Sequence, residues 1–262
     1  MHVLRVILKS FPEDPALDTA VSRALLERVG AGELPETLRL ARPGAMVAFS
    51  KQDAVAPGYS QAARAARAGG FEAILRLAGG RAAVFHEGTL ALAHAIPDPD
   101  PRPGIQRRFE TTAGLLASAL GSLGVDARVG EVPGEYCPGG FSVNARGEVK
   151  LAGLGQRLIH GAAHMGGVIV ASDADRIRDV LIPVYEALGL TWDPTTAGSV
   201  AGEVPGTNLD EVERAILAEY EERYELEEAE VDAETMELAR RLAGEHRAPD
   251  DGHQSSGAAL GA

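Results

Sequence analysis

The chain has 262 residues, 45% of them hydrophobic, which is enough apolar mass for a sizeable core in one large domain or a domain and a half. Its net charge is −13, but residues 209–251 hold 16 acids against 5 Lys/Arg, a net of −11, so the remainder is nearly neutral. The clustered basic face of a nucleic-acid binder is missing, no apolar run approaches the roughly 20 residues of a membrane span, and a single cysteine, Cys137, rules out an internal disulfide.

The opening stretch, MHVLRVILKSFPEDP, breaks into polar and turn-forming residues too early for a secretory signal, so a cytoplasmic protein is expected. In chain order, 2–8 reads as a strand, and Asp14 followed by Pro15 starts a helix whose stripe is Leu17, Val21 and Leu25, ending near Gly30. Short β-like runs follow at 37–41, 46–50, 72–77, 82–86 and 89–96. A second helix is predicted over 106–124 with Phe109, Leu116, Leu120 and Leu123 inward. Strands are expected again at 126–130, 141–145, 148–153 and 164–172, then a helix from about Asp173 that Pro183 should bend or interrupt.

From residue 207 onward the pattern turns helical. Asn208 with Glu211 three residues later forms a capping-box signature ahead of Leu209, Val212, Ile216 and Tyr220, and 232–247 reads as another helix. Residues after 247 have no apolar period and are expected to be disordered. The expected architecture is α+β, a mixed and largely antiparallel sheet with packed helices. It divides into a catalytic body at 1–202, an acidic helical extension at 203–247 and a tail at 248–262.

Three stretches carry candidate chemistry. In RLAGGRAAVFHEGTLALAHAI (76–96), Gly79-Gly80 breaks two β-like runs; paired glycines bring backbone N–H groups close to a ligand, or simply make a hairpin turn. His86 and His94 alternate with apolar residues, as hydrogen-bonded core histidines do, and of the two His86 is the candidate. In GEYCPGGFSVNARGEVK (134–150), Cys137 precedes Pro138 and two glycines, which puts the thiol on a loop. A loop thiol near a cation can be a nucleophile; the alternative is an inert small hydrophobe. Lys150, with Gly153 and Gly155, offers positive charge beside exposed backbone, as an acyl-transfer or adenylate site requires, although a lone strand-edge lysine is commonly just solvated. His160 and His164 with Cys137 make a poor zinc set, because the segment is glycine-broken and has no second cysteine, so no metal site is predicted.

Together, R-x-x-GG-x-A-x-x-x-H and, some 65 residues later, G-x-x-K-x-x-G-x-x-Q-R give an order of parts that resembles the lipoate–protein ligase and octanoyltransferase family, relatives of the biotin ligases, over about residues 1–245. Arg76, Gly79, Gly80, Ala82 and His86 match that family's acyl-binding glycine loop, and Lys150, Gly153 and Gln156 its lysine strand. The resemblance implies a biotin/lipoate ligase-like fold and transfer of an octanoyl or lipoyl group to a lysine of a lipoyl domain. The lipoyl domains of 2-oxo acid dehydrogenases or the glycine-cleavage H protein would be partners, and an acyl carrier protein a possible donor. Arg81 stands where ATP-dependent members tend to have a third glycine, which looks more like the transferase branch, working through a cysteine thioester on Cys137 without a cofactor. Cys137 is nearer the lysine than that branch's pattern places its nucleophile. The alternatives are a ligase that uses ATP and Mg to make lipoyl-AMP at Lys150, and a non-catalytic adaptor for lipoyl domains. Val84, Leu90 and Leu151 are expected walls of the acyl tunnel.

Overall fold

The computed structural model describes residues 2–248, so the expected tail lies, apart from Ala248, outside the described residues. The strands are β1 (His2–Ile7), β2 (Thr37–Ala41), β3 (Met46–Phe49), β4 (Glu72–Leu75), β5 (Ala83–Phe85), β6 (Thr89–Pro97), β7 (Ala127–Val129), β8 (Val143–Ala145), β9 (Val149–Ile159), β10 (Ala162–Val170) and β11 (Tyr224–Glu228). Among the described residues they form one sheet of eight strands, ordered β11-β1-β2-β6-β10-β9-β8-β7, and one of three, β4-β3-β5. In the large sheet β11, β1 and β2 run parallel and every later neighbour is antiparallel, which agrees with the α+β reading.

Helices cover both sheets. On one face of the large sheet, α4 (Ile105–Ser122) and α7 (Leu209–Glu221) bury Leu116, Leu120, Val212 and Ile216 against Leu40, Leu92 and Leu151. On the other, α1 (Pro15–Gly30) packs Leu26 and Val29 against Ala95 and Ala162. Asp14 caps α1 by accepting from Leu17 N–H, and Asn208 with Glu211 makes the expected capping box on α7. The small sheet packs against α3 (Tyr59–Ala68) and α5 (Ala174–Ala187) through Val47, Phe49, Ala62, Ile177 and Leu181.

Several elements differ from the sequence reading. α2 (Lys51–Ala54) and α3 occupy a stretch in which no element was expected, although Ser50 and Asp53 spell a capping box and both of its bonds form. α5 continues through Pro183: the carbonyl that loses its partner belongs to Asp179, on the exposed face, where water can satisfy it. β9 runs six residues past Gly153, since Gly155 is a close-approach position and not a turn; a Cβ there would stand 3.1 Å from Ala78 Cβ and 3.2 Å from the Gly79 carbonyl.

The acidic segment also contains strand as well as helix. β11 pairs in parallel with β1, Tyr224 and Leu226 lean on the main core, and α8 (Ala233–Leu242) adds Ala239 and Leu242 to the cluster of α1 residues Val21 and Leu25. Its two-residue period spans only Tyr224 to Glu228, too short to show among so many acids.

Candidate active site

Lys150 sits on β9 beside a β-bulge. The pairing passes from Val143↔Ala152 to Asn144↔Lys150, so Leu151 is the extra residue. Strict alternation would send residues 150 and 153 to opposite faces, yet with the bulge between them both line one cavity, and a Cβ on Gly153 would stand 3.1 Å from Lys150 Cε. The Lys150 side chain is 1% exposed. Its ammonium donates to Glu135 Oε1 at 3.0 Å, the Tyr136 carbonyl at 3.0 Å and the Cys137 carbonyl at 2.8 Å, and lies 4.9 Å from the Tyr136 ring centroid. Lysine has three N–H bonds, and all three are taken.

Cys137 occupies the loop that connects β7 to β8, with φ +44°, a left-handed conformation that costs a non-glycine residue about 1–3 kcal/mol and persists only where the surroundings impose it. Here they do. The Cys137 N–H donates to Tyr185 Oη at 2.8 Å, its carbonyl accepts from Lys150, and Tyr185 Oη donates onward to the Ala82 carbonyl at 3.0 Å. Glu135, fully buried, ties the loop to itself by accepting from Val132 N–H, Gly139 N–H and Ser142 Oγ–H as well as from Lys150.

The thiol faces the glycine loop. Sγ lies 3.2 Å from the Arg81 N–H and 3.5 Å from Arg76 Nη2. Gly80, at φ +113°, leaves no room for anything larger, since a Cβ would stand 2.1 Å from Arg76 Nη2 and 2.8 Å from Sγ. The Arg76 Nε is buried without a hydrogen-bond partner, and no carboxylate among the described residues pairs with the side chain, so the sulfur is its one polar contact. Burial pushes the Cys137 thiol up, but the Arg76 and Lys150 charges together with the Arg81 N–H outweigh it and leave the pKa below the ordinary thiol value. The Arg81 guanidinium turns away, to Asp53 at 3.3 Å.

This group opens into a cavity of about 610 Å³ where the large sheet meets the small one. Its floor is a row in register across four strands, Arg39↔Ala93↔Gly166↔Gly155, in which the small residues Ala93, Gly166 and Gly155 leave the space and Arg39 ends it; the row is about 14 Å long at the usual strand spacing. Met46, Ala48 and Phe85 face it from the small sheet, and Phe109 stacks on Phe141 at 5.1 Å along another wall. The end away from Cys137 is closed by a buried ion pair, Arg39 to Asp18 at 2.5 Å.

Of the residues singled out from sequence, Arg76, Gly79, Gly80, Cys137, Lys150, Gly153 and Gln156 line this cavity. Arg81 reaches it through its backbone N–H. Gln156 stands at its edge, donating to the Ile105 carbonyl and accepting from Arg108, which ties β9 to the start of α4. Ala82 contributes its carbonyl to Tyr185 and does not line the cavity. His86 also lies off it, fully buried, its Nδ1 accepting from Gly88 N–H. Val84, Leu90 and Leu151, the expected tunnel walls, face the hydrophobic cores instead; the strands' opposite faces supply the lining, with Phe85, Ala91 and Ala93. Among the described residues no three His, Cys, Asp or Glu side chains gather as metal ligands would.

Glu135, Tyr185 and Asp53 were not found from sequence. Tyr185 carried a signal, a hydroxyl on the apolar stripe of α5 that needs a buried partner, and Asp53 carried one as the acidic member of the Ser50 capping box; Glu135 carried none.

A thiol of lowered pKa, flanked by donors on the wall of an apolar cavity, is chemically able to take an acyl group. Curated relatives carry such activities in their names. The chain is 28% identical over 176 residues to an octanoyl-[GcvH]:protein N-octanoyltransferase of Geobacillus kaustophilus, covering 67% of this chain and 62% of the relative. It is 35% identical over 142 residues to the protein of that name from Anoxybacillus flavithermus, covering 54% and 50%. A lipoyl-[GcvH]:protein N-lipoyltransferase of Listeria monocytogenes is 29% identical over 148 residues, covering 55% and 53%. The chain thus spans between half and two thirds of the length of these relatives.

Solved structures share the fold: lipoate-protein ligase A bound with ATP superimposes with a TM-score of 0.75 at 20% identity over 93% of this chain and 95% of that one. A bi-partite lipoate protein ligase from Thermoplasma acidophilum gives 0.70 at 20% over 93% of each. The model of the lipoyl protein ligase A/B catalytic domain matches residues 14–221, well over half of the chain, and the chain therefore belongs to that family.

Proposed function

We propose that this chain is an acyltransferase that moves an octanoyl or lipoyl group onto a lysine of a lipoyl domain by way of a thioester on Cys137. The observation that carries the reading is the thiol's setting, with Sγ between the Arg81 N–H and an Arg76 guanidinium that has no other polar partner among the described residues, on the wall of the apolar cavity. The thiolate attacks the donor's acyl carbonyl, a tetrahedral oxyanion forms and collapses, and the donor's amine or thiol leaves with the proton that the cysteine gave up. The target lysine, as a free amine, then attacks the thioester; an amide forms, and the amine's proton returns to the thiol. The Arg76 guanidinium, with Nη2 3.5 Å from Sγ and Nε–H without a partner among the described residues, is a donor available to the oxyanion. The relatives' names point to an octanoylated or lipoylated GcvH as the donor protein, and this route needs no cofactor.

The second reading is an ATP-dependent ligase that uses ATP and Mg and forms an acyl adenylate at Lys150, as the fold shared with an ATP-bound ligase suggests. Its fit is poorer. All three Lys150 N–H bonds are occupied by this chain's own acceptors, and the place of a third loop glycine is filled by Arg81, whose side chain is held by Asp53.

Incubation with octanoylated GcvH and no nucleotide tests the choice. Expected is a mass increase of one octanoyl group on this chain, discharged by hydroxylamine and missing in Cys137→Ser. Acylation that requires ATP and survives Cys137→Ser would select the ligase, and no turnover with any donor would select a non-catalytic adaptor.

A further inference from the structure

We infer that Glu135 is the positioning residue of the nucleophile, fastening Lys150 to the cysteine loop so that the ammonium serves the sulfur instead of binding the acyl oxygen. The inference rests on the reading of Cys137 as the acylated residue. It follows from how the bonds are distributed. Lys150 Nζ spends its three protons on Glu135, Tyr136 and Cys137, all in one loop, and keeps none for a ligand.

Glu135 in turn gathers four donors from both ends of that loop and from β9: Val132 N–H at 3.1 Å, Gly139 N–H at 3.1 Å, Ser142 Oγ–H at 2.6 Å and Lys150 at 3.0 Å. One buried carboxylate thereby closes residues 132–142 around Cys137 and is the counter-ion of the buried Lys150 side chain. Without it, the ammonium would lack a counter-ion in a site that is 1% exposed and would either lose its proton or leave. In both cases the sulfur loses a cation. A carboxylate acting only through its own charge would do the reverse, since its removal would make the thiol more acidic.

Titration of the thiol by the pH dependence of iodoacetamide alkylation, with no acyl donor present, separates these roles. Glu135→Ala and Lys150→Met are each expected to raise the Cys137 pKa by about one unit, and Glu135→Ala added to Lys150→Met is expected to raise it no further. Glu135→Gln keeps an oxygen for Gly139 and Ser142; it serves if the alanine variant does not fold, with the same direction and a smaller shift. An unchanged pKa in the Glu135 variant, or a rise as large in the Lys150→Met background as in the parent, would overturn the inference. Because the titration needs no acyl transfer, absence of an octanoyl adduct on the parent protein would count against the transferase reading and leave this result standing.

Discussion

Tyr185 Oη stands 2.8 Å from the Cys137 backbone nitrogen and accepts its proton, while its own proton goes to the Ala82 carbonyl at 3.0 Å. One phenol on α5 therefore links the two loops that bring Sγ to the Arg81 N–H. Burial, reinforced by the neighbouring Cys137, holds the Tyr185 pKa well above its ordinary value, so the hydroxyl keeps its proton and can fill both roles.

Tyr185→Phe retains the ring and removes both bonds, leaving the Cys137 N–H and the Ala82 carbonyl unsatisfied. A cost of about 1–3 kcal/mol in urea denaturation is expected, together with slower alkylation of Cys137 at pH 7. A variant as stable and as reactive as the parent would show that the phenol holds neither loop.

Arg76 is predicted to be indispensable to the thiol's acidity. Its guanidinium, with the sulfur as its one polar contact, heads the influences that offset the burial penalty on Cys137. Arg76→Gln should move the thiol pKa upward and lower acyl transfer by about 10²–10³-fold, the usual effect of losing one oxyanion donor. A pH–rate profile of alkylation beside a single-turnover transfer assay measures both. If alkylation shifts and transfer at saturating pH does not, Arg76 activates the sulfur without meeting the oxyanion.

The two loop glycines are not equivalent. At Gly80 an added methyl group meets Arg76 Nη2 and Sγ and must adopt φ +113°, whereas at Gly79 nothing lies within 4 Å of the new carbon. Gly80→Ala is expected to displace the guanidinium and suppress thiol reactivity at least tenfold, a barrier change of about 1.4 kcal/mol. Gly79→Ala should titrate like the parent. Alkylation rates at pH 7 for the pair check this, and equal rates would refute it.

That difference also marks what the sequence could reveal. The glycine pair, Cys137 and Lys150 were legible because each is an unusual residue type in its local context, and strand alternation placed most elements. Partners that act at long range were not legible: Glu135 looks like any loop acid until Val132, Gly139 and Ser142 turn their donors inward on it. Lys150 was expected to face backbone donors, and it faces acceptors. A single-residue bulge at Leu151 sets which way the lysine points, and β9 reads the same with or without it. The same parity problem misassigned the cavity walls, since Val84 and Phe85 are equally apolar and only the packing says which one faces the ligand space.

Acid should destabilise the fold through its buried histidines. Burial, reinforced by His94 and Arg157, pushes His164 down to about 3, and burial is also the first cause lowering His86 and His246. In the unfolded chain each titrates near 6.5. Between pH 6.5 and about 3 the unfolded state therefore binds a proton at His164 that the folded state refuses, and stability falls as pH falls, by up to about 1.4 kcal/mol per unit. Urea midpoints at pH 7, 6, 5 and 4 should decline steadily, and His164→Asn, which removes the titrating group from the cavity wall, should decline less steeply over that range. Parallel curves for the two proteins would mean that His164 takes up its proton in the folded state as readily as in the unfolded one.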